Sequence, residues 1–110
     1  MTDPALPRLV SRFRVDWLLR QVAAQGGFGA VLARGDSEAG AIAVVTRSGG
    51  SETLLAPVLG VAGYEMAQMA SGEAVAGWIA RARQRDPDLW VIELDIPQAA
   101  QLVAQILSPG

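Results

Sequence analysis

The sequence predicts an α+β domain: a mostly antiparallel sheet built as a meander, ferredoxin-like in outline, with two helices packed on it and a third helix at the C-terminus. Three observations lead there. Apolar side chains alternate with period two in five segments, at 8–14, 28–34, 41–47, 52–58 and 89–95. They recur at helical spacing in three others, at 17–25, about 75–82 and 99–107. The middle strands follow one another across short turns, while the helices fall after the first strand and on either side of the last, an order that suits helices layered on an antiparallel sheet.

Along the chain, residues 1–7 hold Pro4 and Pro7 without any period and read as a flexible lead to a single domain over 8–110. Leu9, Ser11 and Phe13 then alternate with Arg8, Val10, Arg12 and Arg14, the pattern of a short strand with its arginines outward. Asp16 suits the N-cap of a helix over 17–25, in which Leu18, Leu19 and Val22 continue the spacing of Val15 and Gly26 supplies a left-handed stop. Phe28, Ala30 and Leu32 alternate against Gly29, Val31 and Ala33 in the next strand, and the polar, glycine-bounded segment 35–40 reads as a loop. A strand at 41–47 reverses through Ser48-Gly49-Gly50-Ser51 into an antiparallel strand at 52–58, with Pro57 at its end or on an edge. Residues 59–71 give mixed signals, since Tyr64 and Met66 alternate while Gly60 and Gly63 suggest a turn; a short strand is the reading. Ser71 suits the cap of a helix whose Val75, Trp78, Ile79 and Ala82 form one stripe and which stops before Pro87. Trp90, Ile92 and Leu94 face one way and Val91, Glu93 and Asp95 the other in the most strand-like segment, and Pro97 opens the terminal helix. The three tryptophans, Trp17, Trp78 and Trp90, read as core because each lies on or beside an apolar stripe, with Met66 and Met69 as filler.

Composition excludes more chemistry than any motif adds. With 110 residues and 51% hydrophobic side chains, the chain is long enough for one core without a disulfide or metal staple. It contains no histidine, cysteine, lysine or asparagine. Imidazole-dependent triads, zinc sites of the usual soft ligands, Schiff bases and the P-loop amine are therefore outside its reach, and no cofactor is expected. A net charge of -2 argues against strong duplex nucleic-acid binding. The charge is uneven: residues 1–34 hold five arginines against Asp3 and Asp16, net +3, while 35–110 hold four arginines against nine acids, net -5. The uncharged run at 53–64 is interrupted by Pro57, Gly60 and Gly63 and is too short to span a membrane, and no export signal is evident, so a cytoplasmic location is the default expectation.

Two motifs carry a resemblance. Arg34-Gly35-Asp36 followed by Ala39-Gly40-Ala41, and Arg85-Asp86-Pro87-Asp88-Leu89-Trp90-Val91 leading into an acidic strand end, resemble the bacterial DUF1491 family. Leu9-Val10-Ser11, Leu19-Arg20 and Gly27-Phe28 match its order and spacing. The resemblance covers about 8–95, leaves the terminal helix outside, and implies no particular chemistry.

The candidate sites follow from residue types. Arg34 and Asp36 have a sufficient structural role, because Gly35 permits a turn and Asp36 bonds nearby amides. Asp86 and Asp88, with Glu93 and Asp95, offer oxygen ligands for a hard cation or an acid-base pair, though carboxylates beside a helix-ending proline more often cap amides and pair with arginine, and alternation explains Glu93 and Asp95 as a solvent face. Arg81 and Arg85, one helical turn apart, read as a solvated face. If the first strand is regular, Arg8, Arg12 and Arg14 share one face and suit a carboxylate or phosphate, making them the candidate anion-binding edge. Leu102, Val103, Ile106 and Leu107 either pack back on the sheet or form the contact for a second copy of the chain. The functional expectation is a non-catalytic binding module for a protein partner or small anion; the alternative is a small enzyme using carboxylate and arginine acid-base chemistry on a small molecule.

Overall fold

The structure, a computed structural model, describes residues 10–107. Its elements run α1 (Ser11–Ala24), β1 (Phe28–Ala33), β2 (Ile42–Ser48), β3 (Ser51–Gly60), β4 (Gly63–Ser71), α2 (Ala74–Arg85), β5 (Trp90–Asp95) and α3 (Ala99–Leu107). The strands form one sheet in the order β1-β5-β2-β3-β4. The β2-β5 pair is parallel and the other three pairs are antiparallel.

This mixed order corrects the full meander and the ferredoxin-like outline. Only β2, β3 and β4 form a meander; β1 lies at the far edge beside β5. Burial accounts for the difference. Trp90, Val91, Ile92 and Leu94 are each at most 1% exposed, so β5 presents apolar side chains on both faces. A strand of that kind is stable only with neighbours on either side and layers above and below.

The first predicted strand is also corrected. Residues 11–14 belong to α1, whose buried side chains Ser11, Val15, Leu18 and Val22 recur at helical spacing. Asp16 lies within this helix and is exposed, while Gly26, at φ +84°, provides the expected left-handed stop. Trp17 is 47% exposed, so of the three tryptophans only Trp90 is fully in the core, with Trp78 partly buried against the apolar cluster on the other face of the sheet. Ser71 ends β4 instead of capping α2, and no side chain caps that helix.

The segment that gave mixed signals is a full nine-residue strand, joined to β3 by a two-residue turn between Gly60 and Gly63. The β3-β4 ladder continues beyond β2: residues 51–55 of β3 pair with β2, but 56–60 pair only with β4. Pro57 sits in that outer stretch, where its missing N–H interrupts no ladder. The result is a two-stranded arm.

Two apolar layers flank the sheet. On one face α1 and α3 pack over Ile42, Val44, Trp90, Ile92 and Leu94. On the other α2 packs through Val75 and Ala82, with Trp78 and Ile79 partly buried, over Ala43, Val45, Leu54 and Val91. Leu102, Val103 and Leu107 of α3 lie inside the first layer at 7%, 0% and 5% exposure, with Ile106 partly buried against it. At ~1.5–3 kcal/mol for each fully buried aliphatic side chain, this helix is a principal contributor to the fold. Among the described residues no helix is long and apolar enough to cross a membrane.

Candidate functional site

The two sequence motifs meet in space and tie two loops together. The Asp36 amide donates to the Asp88 carbonyl at 3.0 Å, and the Trp90 indole Nε1 donates to the Asp36 carbonyl at 2.7 Å. The Asp36 carboxylate accepts from the amides of Glu38 and Ala39 at 3.1 and 2.8 Å, the side-chain-to-backbone turn its type favours. Asp86 does the same for the Asp88 amide at 3.1 Å. Arg34 lies over the Trp90 ring, 5.2 Å from its centroid. Arg85, Asp86 and Asp88 are exposed on the rim. No group of three or more potential metal-ligating side chains occurs among the described residues.

Two residues of this junction carried no weight in the sequence. A single Arg83 nitrogen, Nη1, donates to the carbonyls of Arg34, Pro87 and Leu89 at 3.0, 3.1 and 2.7 Å, clamping both loops from α2. Ser11 is 3% exposed and its hydroxyl donates to the Gly40 carbonyl at 2.6 Å. The free amides at the start of α1 are taken by the same loop: Ser11 N–H donates to the Glu38 carbonyl at 3.0 Å and Arg12 N–H to that of Ser37 at 2.9 Å. Backbone carbonyls thus replace the side-chain cap that Val10 cannot supply.

The proposed arginine edge loses its geometric basis. Arg12 and Arg14 are two positions apart on a helix, about 200° around its axis, and point to different sides. Arg12 lies over the Phe13 ring at 4.9 Å, whereas Arg14 Nη2 donates to the Leu107 carbonyl at 3.1 Å. Arg8 lies outside the described residues. Glu93, one of the carboxylates offered as oxygen ligands, is half-buried and pairs with Arg47, which also reaches Glu52 at 2.6 Å.

Next to the junction lies a cleft of about 490 Å³. The helical layer ends at the start of α1 and the end of α3, but the β3-β4 arm continues past it, and the space between them is left open. Ser11 and Arg14 form one wall and Glu38 to Ile42 the base, with Leu107 closing the end. Pro57, Tyr64 and Met66 form the opposite wall. The register pairs Pro57 with Met66 and Leu59 with Tyr64, so these four share the cleft-side face of the arm. Leu59 is 73% and Tyr64 54% exposed, which extends the apolar floor outward as a shelf. β4 is an edge strand, and its run Gly63–Gln68 holds one charged residue, Glu65. The sequence signal for this site was the uncharged run 53–64, which composition alone reads only as too short for a membrane span.

Comparison with known proteins bears on the same framework. The family described as "Protein of unknown function (DUF1491)" matches residues 9–104. The chain belongs to the DUF1491 family. The match includes most of α3, so the helix left outside the resemblance at 8–95 is part of the family's own extent. The solution structure of a protein from A. tumefaciens is 32% identical, with a TM-score of 0.75 over 94% of this chain and 98% of that one. The crystal structure of a DUF1491 family protein from Caulobacter crescentus CB15 is 25% identical, with a TM-score of 0.75 over 93% of this chain and 98% of that one. An NMR structure of a DUF1491 family protein from the same organism is 27% identical, with a TM-score of 0.73 over 92% of this chain and 94% of that one. No curated protein matches the chain.

Proposed function

We propose that this DUF1491 protein is a non-catalytic binding module that takes an extended apolar segment of a partner protein as an added strand along β4, with alternate side chains entering the cleft. One observation carries the reading: the cleft opens beside a strand edge that has no partner among the described strands, so backbone donors and acceptors and an apolar recess lie within one site. Its volume falls within the ~300–1,000 Å³ usual for ligand pockets. Specificity would come from period two, because only side chains on the Tyr64 and Met66 face of an added strand reach the recess. The acid-base alternative draws less support. The buried Ser11 hydroxyl is committed to the Gly40 carbonyl, and the motif carboxylates Asp36 and Asp86 hold backbone amides of their own loops.

The test is fluorescence anisotropy with labelled peptides of about ten residues that alternate large apolar with serine or threonine side chains. Binding is expected, weakened about tenfold or more by Tyr64→Glu and abolished by N-methylation of alternate peptide amides. Binding that survives N-methylation, or is indifferent to Tyr64→Glu, contradicts the reading.

A further inference from the structure

The outward face of α1 carries aromatic side chains where solvent-facing polar ones are the rule. The helix packs on the sheet through Ser11, Val15, Leu18 and Val22. At ~100° per residue, Phe13, Trp17, Arg20 and Ala24 lie on the opposite side. All four are exposed, Phe13 at 48% and Trp17 at 47%. A helix that buries one stripe ordinarily turns charged and polar residues outward.

The spacing of these residues, four, three and four positions, is that of the a and d positions in a helix-helix seam. The helix is continuous over 14 residues, so the face each side chain takes is fixed. When two copies of α1 lie antiparallel about a two-fold axis level with the Leu18–Leu19 peptide, each Trp17 falls opposite the other copy's Arg20 and each Phe13 opposite the other copy's Ala24. A guanidinium then faces an indole ring, and a large side chain faces a small one, twice over. Charge agrees with this register. Asp16 flanks the seam one residue's rise, ~1.5 Å, from the level of the other copy's Arg20. Both are exposed, and among the described residues neither has an ion-pair partner in its own chain, although they stand four positions apart. We propose that α1 is a homodimer contact, in which two copies pair this helix antiparallel through Phe13, Trp17 and the Asp16–Arg20 charges. Phe13 and Trp17 supply most of the area, at ~150–250 Å² for each aromatic fully buried and with half of each already covered, which is below the ~800 Å² per partner of a standard interface. A weak dimer is expected.

Light scattering and sedimentation on the full chain test this. Mass is expected to rise with concentration toward twice the 11.5 kDa of one chain, and Trp17→Lys is expected to remain monomeric with an unchanged circular dichroism spectrum. Charge exchange reads the register. Asp16→Arg and Arg20→Asp each set like charges across the seam, so each variant alone is expected to self-associate about tenfold more weakly or less. Mixed in equal parts, the two variants place opposite charges at both contacts, and a heterodimer is expected well above the association of either alone. A native chain that stays monomeric at millimolar concentration overturns the proposal, including one that instead binds vesicles of anionic lipid through this face. So does a dimer that persists in the folded Trp17→Lys variant, or a mixture that associates no better than its two components.

Discussion

Replacing Gly35 by alanine tests whether the family motif is a structural junction. A Cβ at this position would meet the Asp88 carbonyl oxygen and lie 2.7 Å from both the Leu89 carbonyl carbon and the Trp90 nitrogen. These are backbone atoms, so no side-chain rotation relieves the contact, and the two loops must separate. Overpacking of this kind costs ~1–3 kcal/mol. Separation also strains the Asp36-to-Asp88 and Trp90-to-Asp36 hydrogen bonds, each worth ~1 kcal/mol net. With both bonds lost the total is ~3–5 kcal/mol, or a fall of at least ~12 °C in melting temperature for a domain of this size. Gly49→Ala is the control: φ there is +60° with nothing within 4 Å of a Cβ, so only backbone strain of ~1–2 kcal/mol is expected. Thermal and urea unfolding followed by circular dichroism give both values. If Gly35→Ala costs no more than Gly49→Ala, the loops are not held together as described.

Arg83→Ala, which removes the donor to three carbonyls, is expected to cost about 2 kcal/mol in urea unfolding, whereas Arg85→Ala, on the exposed rim, should stay within ~0.5 kcal/mol. Val103→Ala, at a fully buried position on α3, should cost ~2 kcal/mol, and a chain ending at residue 95 should lack cooperative melting. Arg47→Ala is expected to cost at most ~1 kcal/mol, and less at high salt, because its pairs with Glu52 and Glu93 are partly solvated; a salt-independent loss above 2 kcal/mol would contradict that.

What the sequence made legible depended on how local each cause was. The hairpin through Gly49 and Gly50 and the stop at Gly26 are set by neighbouring residues, and both could be read directly. The start of α1 was masked because its stripe begins with a serine, and the carbonyl that accepts from the buried Ser11 hydroxyl lies 29 positions away. Alternating arginines then imitated a strand. The two-sided burial of β5 was implicit in Trp90-Val91-Ile92, yet its place between β1 and β2 follows from competition among all five strands for the centre. Arg34, Asp36 and Trp90 stood out as motif residues, but their contacts join loops some 50 positions apart and leave no periodic trace. The cleft exists because the helical layer ends short of the arm, a difference in element lengths and packing that no single segment encodes.

The most direct test of the binding account is a ¹H–¹⁵N correlation titration of the full chain with the alternating peptide. Shifts confined to the amides of Ala39, Gly40 and Ile42 and to residues 63–68 are predicted, with slowed amide exchange along β4. Shifts centred on Asp86–Trp90 or on β1, with β4 unchanged, would contradict it.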